Sequence, residues 1–421
     1  MQNIMFREEA TDGILEIMTG QNADDTDLNR SRINIKKPCK LFGQVIGKIA
    51  SSHYYTGGDV KVEDILSQLN NDESVSSLGV VDGSGAIIGI VTRNMFFDIL
   101  GRPFGWDLHK NKKISTIVID ARRYEYTTNI FSIADAITGD LMSKSDIHYI
   151  LTDENDRFFG IFNNRDLLMY LSYITQRDIG FAKNVQSSII NEETMYQNKY
   201  CEILAGTRMA KDVGGDHYII KKHNDTNWFI SVCDVAGKGI SASLVSVLLS
   251  GMNYMYDFSL GIKQFVLRLN SFVYSSFKSE KFITGIFADF NEKSGKITVF
   301  DAGHSHCFLI RNKKCIPLKS VSENIPIGVS SEYSPAGYSF TMKAEDMLVF
   351  LTDGIEEQTN PEGDRYGQEA LIGHILKQRS AELKDLKNFI FSDIRAFRKH
   401  QTQDDDMTLL MLKYTGGILH A

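Results

Sequence analysis

The chain has 421 residues, 43% of them hydrophobic, which is enough for two or three domains with buried cores. Its formal net charge of −7, with no long basic run, excludes nucleic acid as the main partner. The acidic N-terminal sequence MQNIMFREEATDG does not resemble a signal peptide, and no window approaches about eighteen uninterrupted apolar residues, so we expect a cytosolic protein without a membrane anchor.

Residues 1–40 are predicted to be a leader that precedes the first domain. Thr19 to Lys40 is polar and contains Pro38, which favours a loop over a regular element. The five cysteines of the chain form no C-x-x-C pair, and several lie in apolar runs. We therefore expect them to be reduced and to act as small hydrophobic residues: Cys39, Cys201, Cys233, Cys307 and Cys315.

Residues 41–166 contain an internal repeat. Ser77 to Leu100 and His148 to Leu171 both have the pattern of a strand, a turn with Asp, a second strand that contains Gly-Ile, and a helix. A predicted amphipathic helix precedes each copy, at Val62 to Leu69 and at Ile130 to Leu141. This order resembles a tandem cystathionine-β-synthase (CBS) pair of the kind found in bacterial signalling proteins.

Such pairs often bind an adenine nucleotide through a Ser or Thr and an Asp three residues later, so the resemblance implies two binding residues, Thr92 and Asp166. The first copy has Met95 where the Asp belongs, and the second has Asn163 where the hydroxyl belongs. Two interpretations therefore stay open. The region is either a nucleotide-binding module that keeps half of each motif, or a structural or dimerising module.

Residues 167–200 are predicted to link this region to the rest of the chain. Leu167 to Asn191 contains no Pro and has apolar residues at a spacing of three to four, which predicts one continuous helix. This helix is either a solvated connector or part of the next domain's core, or it forms a parallel coiled coil in a homodimer and carries a signal.

A strand, an acid, a glycine turn and a helix follow in order between Trp228 and Gly251. The apolar run Trp228 to Cys233 predicts a buried strand, and Asp234 follows it. After the turn AGKG, Ser241 is predicted to cap the helix. Three interpretations of the acid stay open: a phosphate-binding loop, although the Walker A spacing is absent, a divalent-metal ligand, and an ordinary turn capped by aspartate.

Three further acids lie in comparable places. Asp216 follows two glycines in VGGDHYII, Asp353 follows a strand-like run from Met347 to Thr352, and Asp405, between two other aspartates, precedes MTLLMLKY. Carboxylates pressed against hydrophobic strands are costly unless a cation neutralises them. Since no His or Cys pattern accompanies these acids, they suit magnesium or manganese better than zinc.

The motifs VGGDHY, VCDVAGKGISASL, FDAGHSH, LTDGIEEQTNPEGDRYGQEAL and DDMTLLML stand in this order between Glu202 and Tyr414, about half of the chain. Together they resemble the SpoIIE-type bacterial branch of the metal-dependent protein phosphatases (PPM family). The resemblance implies an α+β domain at residues 201–421, with two central antiparallel sheets flanked by helices in an α/β/β/α sandwich.

The resemblance also implies roles for individual residues. Asp216, Asp234 and the backbone carbonyl of Val235 would bind two Mn²⁺ or Mg²⁺ ions, and Asp353 and Asp405 would complete the cluster. A water between the two ions would then attack the phosphorus without a covalent enzyme intermediate.

The sequence departs from the family pattern at two positions. Ile219, three residues after Asp216, stands where the family usually has an acid, and Asp301 replaces the Asn of the NAGH motif. His304 is then either a substrate-positioning or proton-shuttling residue, or a loop histidine with a structural role. Lys238 and Ser241 are further candidates for phosphate contacts.

We therefore predict a cytosolic phosphoserine or phosphothreonine phosphatase, controlled by the CBS-like region through the helical linker. The resemblance implies a phosphorylated anti-sigma-factor antagonist as the substrate partner. The main alternative is a dimeric, nucleotide-responsive scaffold or receptor with a weakly active or inactive phosphatase-like domain. A third possible function is that of a phosphodiesterase or another two-metal hydrolase. The absence of a histidine pattern beside these acids makes this function less favoured.

Overall fold

The computed structural model describes residues 32–318 and 324–417. The chain divides after Ile174 into two compact units. None of the helices in these two described ranges is long and apolar enough to cross a membrane.

The first unit is built from two copies of one strand and helix order, so the predicted repeat is confirmed. In each copy a parallel strand pair is followed by an antiparallel hairpin with an irregular register near its turn. The four-stranded sheet has the order β1-β2-β3-β4, and the three-stranded sheet has the order β5-β6-β7. The elements are β1 (Ile33–Ile35), β2 (Tyr54–Gly57), α1 (Val62–Asn71), β3 (Ser77–Val81), β4 (Ile87–Thr92), α2 (Arg93–Leu100), α3 (Gly105–His109), β5 (Arg123–Glu125), α4 (Ile130–Ala136), α5 (Thr138–Leu141), β6 (His148–Thr152) and β7 (Phe158–Asn163).

The two copies share an apolar contact. Ile90 and Val81 of the first copy pack in one buried cluster with Ile150 and Phe158 of the second. The approach is close, because a Cβ at Gly79 would lie 2.2 Å from the ring of Phe158. Burial of this surface stabilises the pair of copies as one unit.

Two predictions for the first unit are wrong. Residues 19–31 of the stretch expected to be a loop lie outside the described residues, but Ile33–Ile35 forms strand β1 and pairs with β2, because a sheet edge offers unpaired N–H and C=O groups. The helix expected over Ile130 to Leu141 breaks at Ile137, where φ is −113° and ψ is 19°. The β-branched pair Ile137–Thr138 before Gly139 has low helix propensity, which accounts for the break.

One helix, α6 (Asn164–Ile189), passes from the first unit into the second. This confirms the continuous helix predicted for the linker, although it begins three residues earlier and ends two residues sooner than the apolar pattern indicated. Strand β8 (Glu193–Gln197) follows it and pairs with β9 (Cys201–Arg208), as the edge of a sheet in the second unit.

The second unit contains two antiparallel sheets, which confirms the predicted sandwich. Their orders are β10-β11-β12-β13-β16 and β15-β14-β17-β18-β9-β8. The remaining elements are β10 (His217–Lys222), β11 (Asn227–Val235), α7 (Ile240–Met255), α8 (Ile262–Phe277), β12 (Ile283–Asn291), β13 (Lys296–Ala302), β14 (Cys307–Arg311), β15 (Lys314–Pro317), β16 (Tyr338–Thr341), β17 (Met347–Leu351), α9 (Asp353–Glu356), α10 (Gln368–Gln378), α11 (Leu383–Arg398) and β18 (Met407–Tyr414).

Three apolar cores separate four layers. Ile230 and Ile286 of one sheet meet Ile203 and Leu410 of the other in the central core. A second core joins the six-stranded sheet to α10 and α11, and a third joins the five-stranded sheet to α7 and α8. Because the two sheets face each other, the ends of strands from both sheets reach the same edge of the sandwich.

The cap of helix α7 differs from the prediction. The helix begins at Ile240, its N-cap is Gly239 with φ of 75° and ψ of −151°, and Ser241 lies inside the first turn. A positive φ favours glycine, so the glycine turn sets the start of the helix without a side-chain cap. The prediction that Ser241 caps α7 is therefore wrong.

Candidate metal centre

The acids singled out in the sequence all lie at one kind of place in the fold. Asp216 directly precedes β10, and Asp234 is the last residue but one of its neighbour β11. Asp353 begins α9 directly after β17 and Thr352, and Asp405 lies two residues before β18, the neighbour of β17. Each sheet therefore contributes two of the four acids from adjacent strands.

Asp216 accepts hydrogen bonds from residues at the ends of two neighbouring strands of the opposite sheet. The hydroxyls of Thr352 and Thr408 each donate to its Oδ2 over 2.7 Å, and the Asp216 residue is 2% exposed. Two hydroxyl donors on one carboxylate oxygen fix the orientation of the buried group. These contacts physically join the end of β10 to the ends of β17 and β18.

Two glycines allow backbone segments to approach at this edge. A Cβ at Gly215 would lie 2.9 Å from the carbonyl oxygen of Val235, and a Cβ at Gly354 would lie 1.9 Å from that of Asp406. A side chain at either position would push these segments apart. The carbonyl of Val235 thus stands beside the residue that precedes Asp216.

The three consecutive aspartates before β18 have different surroundings. Asp406 is buried, and its carboxylate accepts from the backbone N–H groups of Ala210 and Gly215, each over 2.7 Å. Asp404 accepts from the hydroxyl of Thr359 over 2.9 Å. Asp405 forms an ion pair of 2.9 Å with Lys238, which lies in the turn after Asp234.

The carboxylates raise one another's pKa. Burial, followed by the charges of Asp353 and Asp405, raises the pKa of Asp234 to about 7. Burial and the charge of Asp234 raise the pKa of Asp216 well above its usual range. Burial is also the main reason for the raised pKa of Asp353, with nearby acids adding to it. Concentrated negative charge of this kind is typical of a cation-binding or catalytic site.

The donor set fits hard divalent cations, because it consists of carboxylate oxygens and a backbone carbonyl. Among residues 32–318 and 324–417, no three His, Cys, Asp or Glu side chains already converge as a ready cation site. The ammonium of Lys238 instead contacts Asp405 and donates to the carbonyl of Asp404 over 2.7 Å. Binding of a cation by Asp405 would therefore compete with its ion pair to Lys238.

An open cavity of about 300 Å³ adjoins Asp353. His306, Glu356, Glu357 and Arg365 line it together with Asp353. Glu356 lies 3.6 Å from Nδ1 of His306, and it raises the pKa of this histidine. The cavity gives solvent and ligands access to the acidic edge of the sandwich.

Comparison with known proteins gives consistent matches to this unit. Residues 224–415 match the family model described as Stage II sporulation protein E (SpoIIE). The chain is 26% identical over 241 residues to Phosphoserine phosphatase RsbU of Bacillus subtilis (strain 168), a match that covers 56% of this chain and 70% of RsbU. The second unit belongs to the SpoIIE-type metal-dependent protein phosphatases. It is a serine/threonine phosphatase domain of the PPM type.

Other matches to this SpoIIE-type domain are more distant. Stage II sporulation protein E of Priestia megaterium is 24% identical over 244 residues, which cover 53% of this chain and 40% of that protein. The solved SiaA-PP2C domain of Pseudomonas aeruginosa has a TM-score of 0.49 and 13% identity, and it covers 58% of this chain and 98% of that chain. The family match begins at residue 224, so the CBS resemblance of the first unit stays a prediction.

His304 has a structural role in the SpoIIE-type domain. Its Nε2 lies 2.7 Å from the carbonyl of Leu351 and its Nδ1 lies 2.9 Å from the hydroxyl of Thr284. Burial lowers the pKa of His304 to about 4, and Asp301 accepts from its backbone N–H over 2.7 Å. Since both ring nitrogens are engaged, the second of the two interpretations, a loop histidine that ties down its neighbours, fits the contacts.

The two nucleotide-binding residues predicted in the first unit make local contacts. The hydroxyl of Thr92 accepts from the backbone N–H of Met95 and caps α2. Asp166 accepts from the hydroxyl of Ser51 over 2.6 Å and from the backbone N–H of Asn163 over 2.8 Å. These contacts account for both side chains without a ligand, and nucleotide binding stays a prediction.

Gln186 is a residue of this site that the sequence analysis did not single out. Its amide contacts the glycine loop before Asp216 from the end of helix α6. The apolar periodicity of the helix predicts that a polar residue faces solvent, whereas Gln186 is 4% exposed. Only the absence of a charge at this position hints at its burial.

Proposed function

We propose that the chain is a metal-dependent phosphoprotein phosphatase that hydrolyses phosphoserine or phosphothreonine in a regulatory partner protein. The observation that carries this proposal is that strand ends of both sheets present four acids at one edge of a SpoIIE-type domain. The raised pKa values of Asp216, Asp234 and Asp353 support it, because burial and neighbouring carboxylates disfavour their charged forms and a bound cation would favour them.

In this proposal Asp216, Asp234, Asp353, Asp405 and the carbonyl of Val235 would hold two Mn²⁺ or Mg²⁺ ions. The ions would supply an activated water and neutralise the phosphoryl oxygens. The chain's own contribution is orientation. Thr352 and Thr408 hold Asp216 through the hydrogen bonds described above, and the close approach at Gly215 brings the Val235 carbonyl beside it.

The proposed partner is a phosphorylated anti-sigma-factor antagonist. Two curated relatives, RsbU and RsbP of Bacillus subtilis, are named phosphoserine phosphatases, which supports a phosphoserine substrate. The cavity beside Asp353 supports this as well, since its open mouth suits a protein segment better than an enclosed pocket would. Arg365 lines this cavity in an ion pair of 2.7 Å with Glu357, and it would exchange this partner for the phosphate of a bound segment.

Regulation is the second part of the proposal. We infer that the CBS-like region controls the phosphatase through α6, with an adenine nucleotide near Thr92 or Asp166 as the proposed ligand. A homodimer formed along α6 is supported by apolar side chains that this helix exposes, because a coiled coil would bury them. They include Leu168, Met169, Tyr173 and Phe181, which are 43%, 61%, 36% and 63% exposed.

The test is hydrolysis of an aryl phosphate by the full chain, with manganese and with a chelator. Turnover should require manganese. Asp353→Asn should lower it by at least about 100-fold, because a ligand to the activating ions is lost. Asp225→Asn, in an exposed turn of the same unit, is the matched control and should retain turnover.

Absence of turnover together with absence of manganese binding in calorimetry would overturn the proposal. It would favour the scaffold alternative, in which the domain serves binding alone. Manganese binding without turnover on the aryl phosphate would direct the assay to phosphoserine peptides and proteins.

A further inference from the structure

The side chain of Gln186 binds the backbone of the glycine loop from the last turn of α6. Its Nε2 donates to the carbonyl of Gly214 over 2.8 Å, and its Oε1 accepts from the N–H of the same residue over 3.1 Å. Nε2 also donates to the hydroxyl of Ser246 over 2.9 Å. One amide therefore satisfies both backbone groups of Gly214 and reaches helix α7.

The hydrogen bonds continue from this loop toward the proposed metal ligands. The next residue, Gly215, donates its N–H to Asp406, which also accepts from Ala210. Asp216 follows Gly215 directly, and Asp405 precedes Asp406. The path from Gln186 to the two aspartates thus runs through backbone groups and one carboxylate, all within the second unit.

The loop is closely packed at Gly214. A Cβ at Gly214 would lie 2.2 Å from Oδ2 of Asp406 and 2.2 Å from the sulfur of Met209. Since Gln186 is buried, loss of its amide would leave the N–H and carbonyl of Gly214 without these partners in a region closed to water. The loop would have to shift to regain hydrogen bonds.

We propose that Gln186 is a positioning residue for the metal centre, which sets the place of Asp216 by holding both backbone groups of Gly214. The hydrogen bond to Ser246 extends this effect to α7, the helix that follows Asp234. The role rests on the proposed function, because it assumes that Asp216 and Asp234 bind manganese. It identifies one side chain through which the end of α6 acts on the site.

The test compares Gln186→Met with Asn164→Leu in the full chain. Both substitutions replace a buried amide on α6 with an apolar side chain of similar size. Asn164 is the matched control, because it is 3% exposed and its amide also bonds backbone groups, those of Asp140, Ser145 and Ile147, in the first unit.

Two readouts are measured for each protein. Amide hydrogen exchange of the metal-free protein should become at least about 10-fold faster at Gly214 and Gly215 in Gln186→Met, because the lost acceptor exposes the loop. The dissociation constant for manganese, from calorimetry, should rise by about 10-fold or more. Asn164→Leu should leave both quantities within about twofold of the wild type while it speeds exchange around Ile147.

Gln186→Glu is measured as well, in case Gln186→Met does not fold. It retains an acceptor for the Gly214 N–H but loses the donor to the Gly214 carbonyl, so manganese affinity should again fall. Unchanged exchange at the loop and unchanged manganese affinity in a folded Gln186 variant would overturn the inference. If the wild type itself binds no manganese, the proposed function fails instead, and the two results are distinguishable.

Discussion

Burial and charge at single residues explain how one strand-end acid differs from another. The carboxylate of Asp406 accepts hydrogen bonds from two backbone N–H groups, whereas that of Asp405 forms an ion pair with Lys238. In Asp234, burial and neighbouring acids raise the pKa to about 7. The adjacent residues Asp405 and Asp406 therefore have different structural roles. One stabilises the loop before Asp216, and its neighbours concentrate charge.

The raised pKa of Asp234 predicts how the metal-free protein responds to pH. Between about pH 4 and pH 7 the folded state holds a proton that the unfolded state has lost, so stability falls as the pH rises through this window. Asp234→Asn removes this effect. We expect the metal-free variant to be more stable than the wild type at pH 8, by about 1 to 3 kcal/mol, and the difference to shrink toward pH 4.

Urea unfolding of both proteins in chelator, at several pH values, measures this difference. The control Asp225→Asn should leave the curve unchanged, since that acid lies in an exposed turn. Excess manganese should reverse the order, because the wild type gains binding energy that the variant lacks. Equal stability of wild type and Asp234→Asn at pH 8 without metal would contradict the shifted pKa.

At the scale of the elements, the sequence predicted most of the second unit. The runs Trp228 to Cys233 and Met347 to Thr352 became strands β11 and β17 with nearly the predicted ends, since apolar runs and turn residues are local signals. The strand-end positions of the four acids followed from the same runs.

Other features depend on contacts between distant residues, and local patterns cannot predict them. Gln186 and Gly214 are 28 positions apart, and strand β1 pairs with β2 about twenty positions further along the chain. The same reason applies to Asp406, whose backbone partner Ala210 lies 196 positions away. Neighbouring residues in the sequence carry no information on such pairings.

The crossing of α9 and the start of β18 predicts a steric effect at one glycine. A Cβ at Gly354 would lie 1.9 Å from the carbonyl oxygen of Asp406, which is backbone and cannot rotate away. We expect Gly354→Ala to lower the free energy of unfolding by at least about 2 kcal/mol, because α9 or β18 must move. Manganese affinity should fall as well, since Asp353 and Asp405 flank the contact.

Gly373→Ala is the matched control for this substitution. Gly373 lies inside helix α10, and its added Cβ would meet nothing within 4 Å beyond its own stretch of helix, so alanine should stabilise the helix by up to about 1 kcal/mol. Chemical unfolding of both variants gives the comparison. A Gly354→Ala protein as stable as the wild type would show that α9 and the start of β18 can separate at little cost.

At the scale of the whole molecule, the end of α6 and strand β8 belong to the phosphatase unit as much as to the linker. Gln186 contacts the loop before Asp216, and β8 extends the six-stranded sheet beside β9. A fragment that begins at Cys201 would lose both, whereas one that begins at Thr175, at the boundary of the unit, retains them.

We therefore expect residues 175–421 to unfold in one cooperative transition and to bind manganese as the full chain does. Residues 201–421 should melt at a temperature lower by at least about 5 °C, because the edge of the sheet and the loop lose partners, and should bind manganese about 10-fold more weakly. Thermal unfolding in chelator and calorimetry with manganese measure both quantities. If the shorter fragment equals the longer one in both, α6 is a connector alone, and control by the first unit must reach Asp216 by another route.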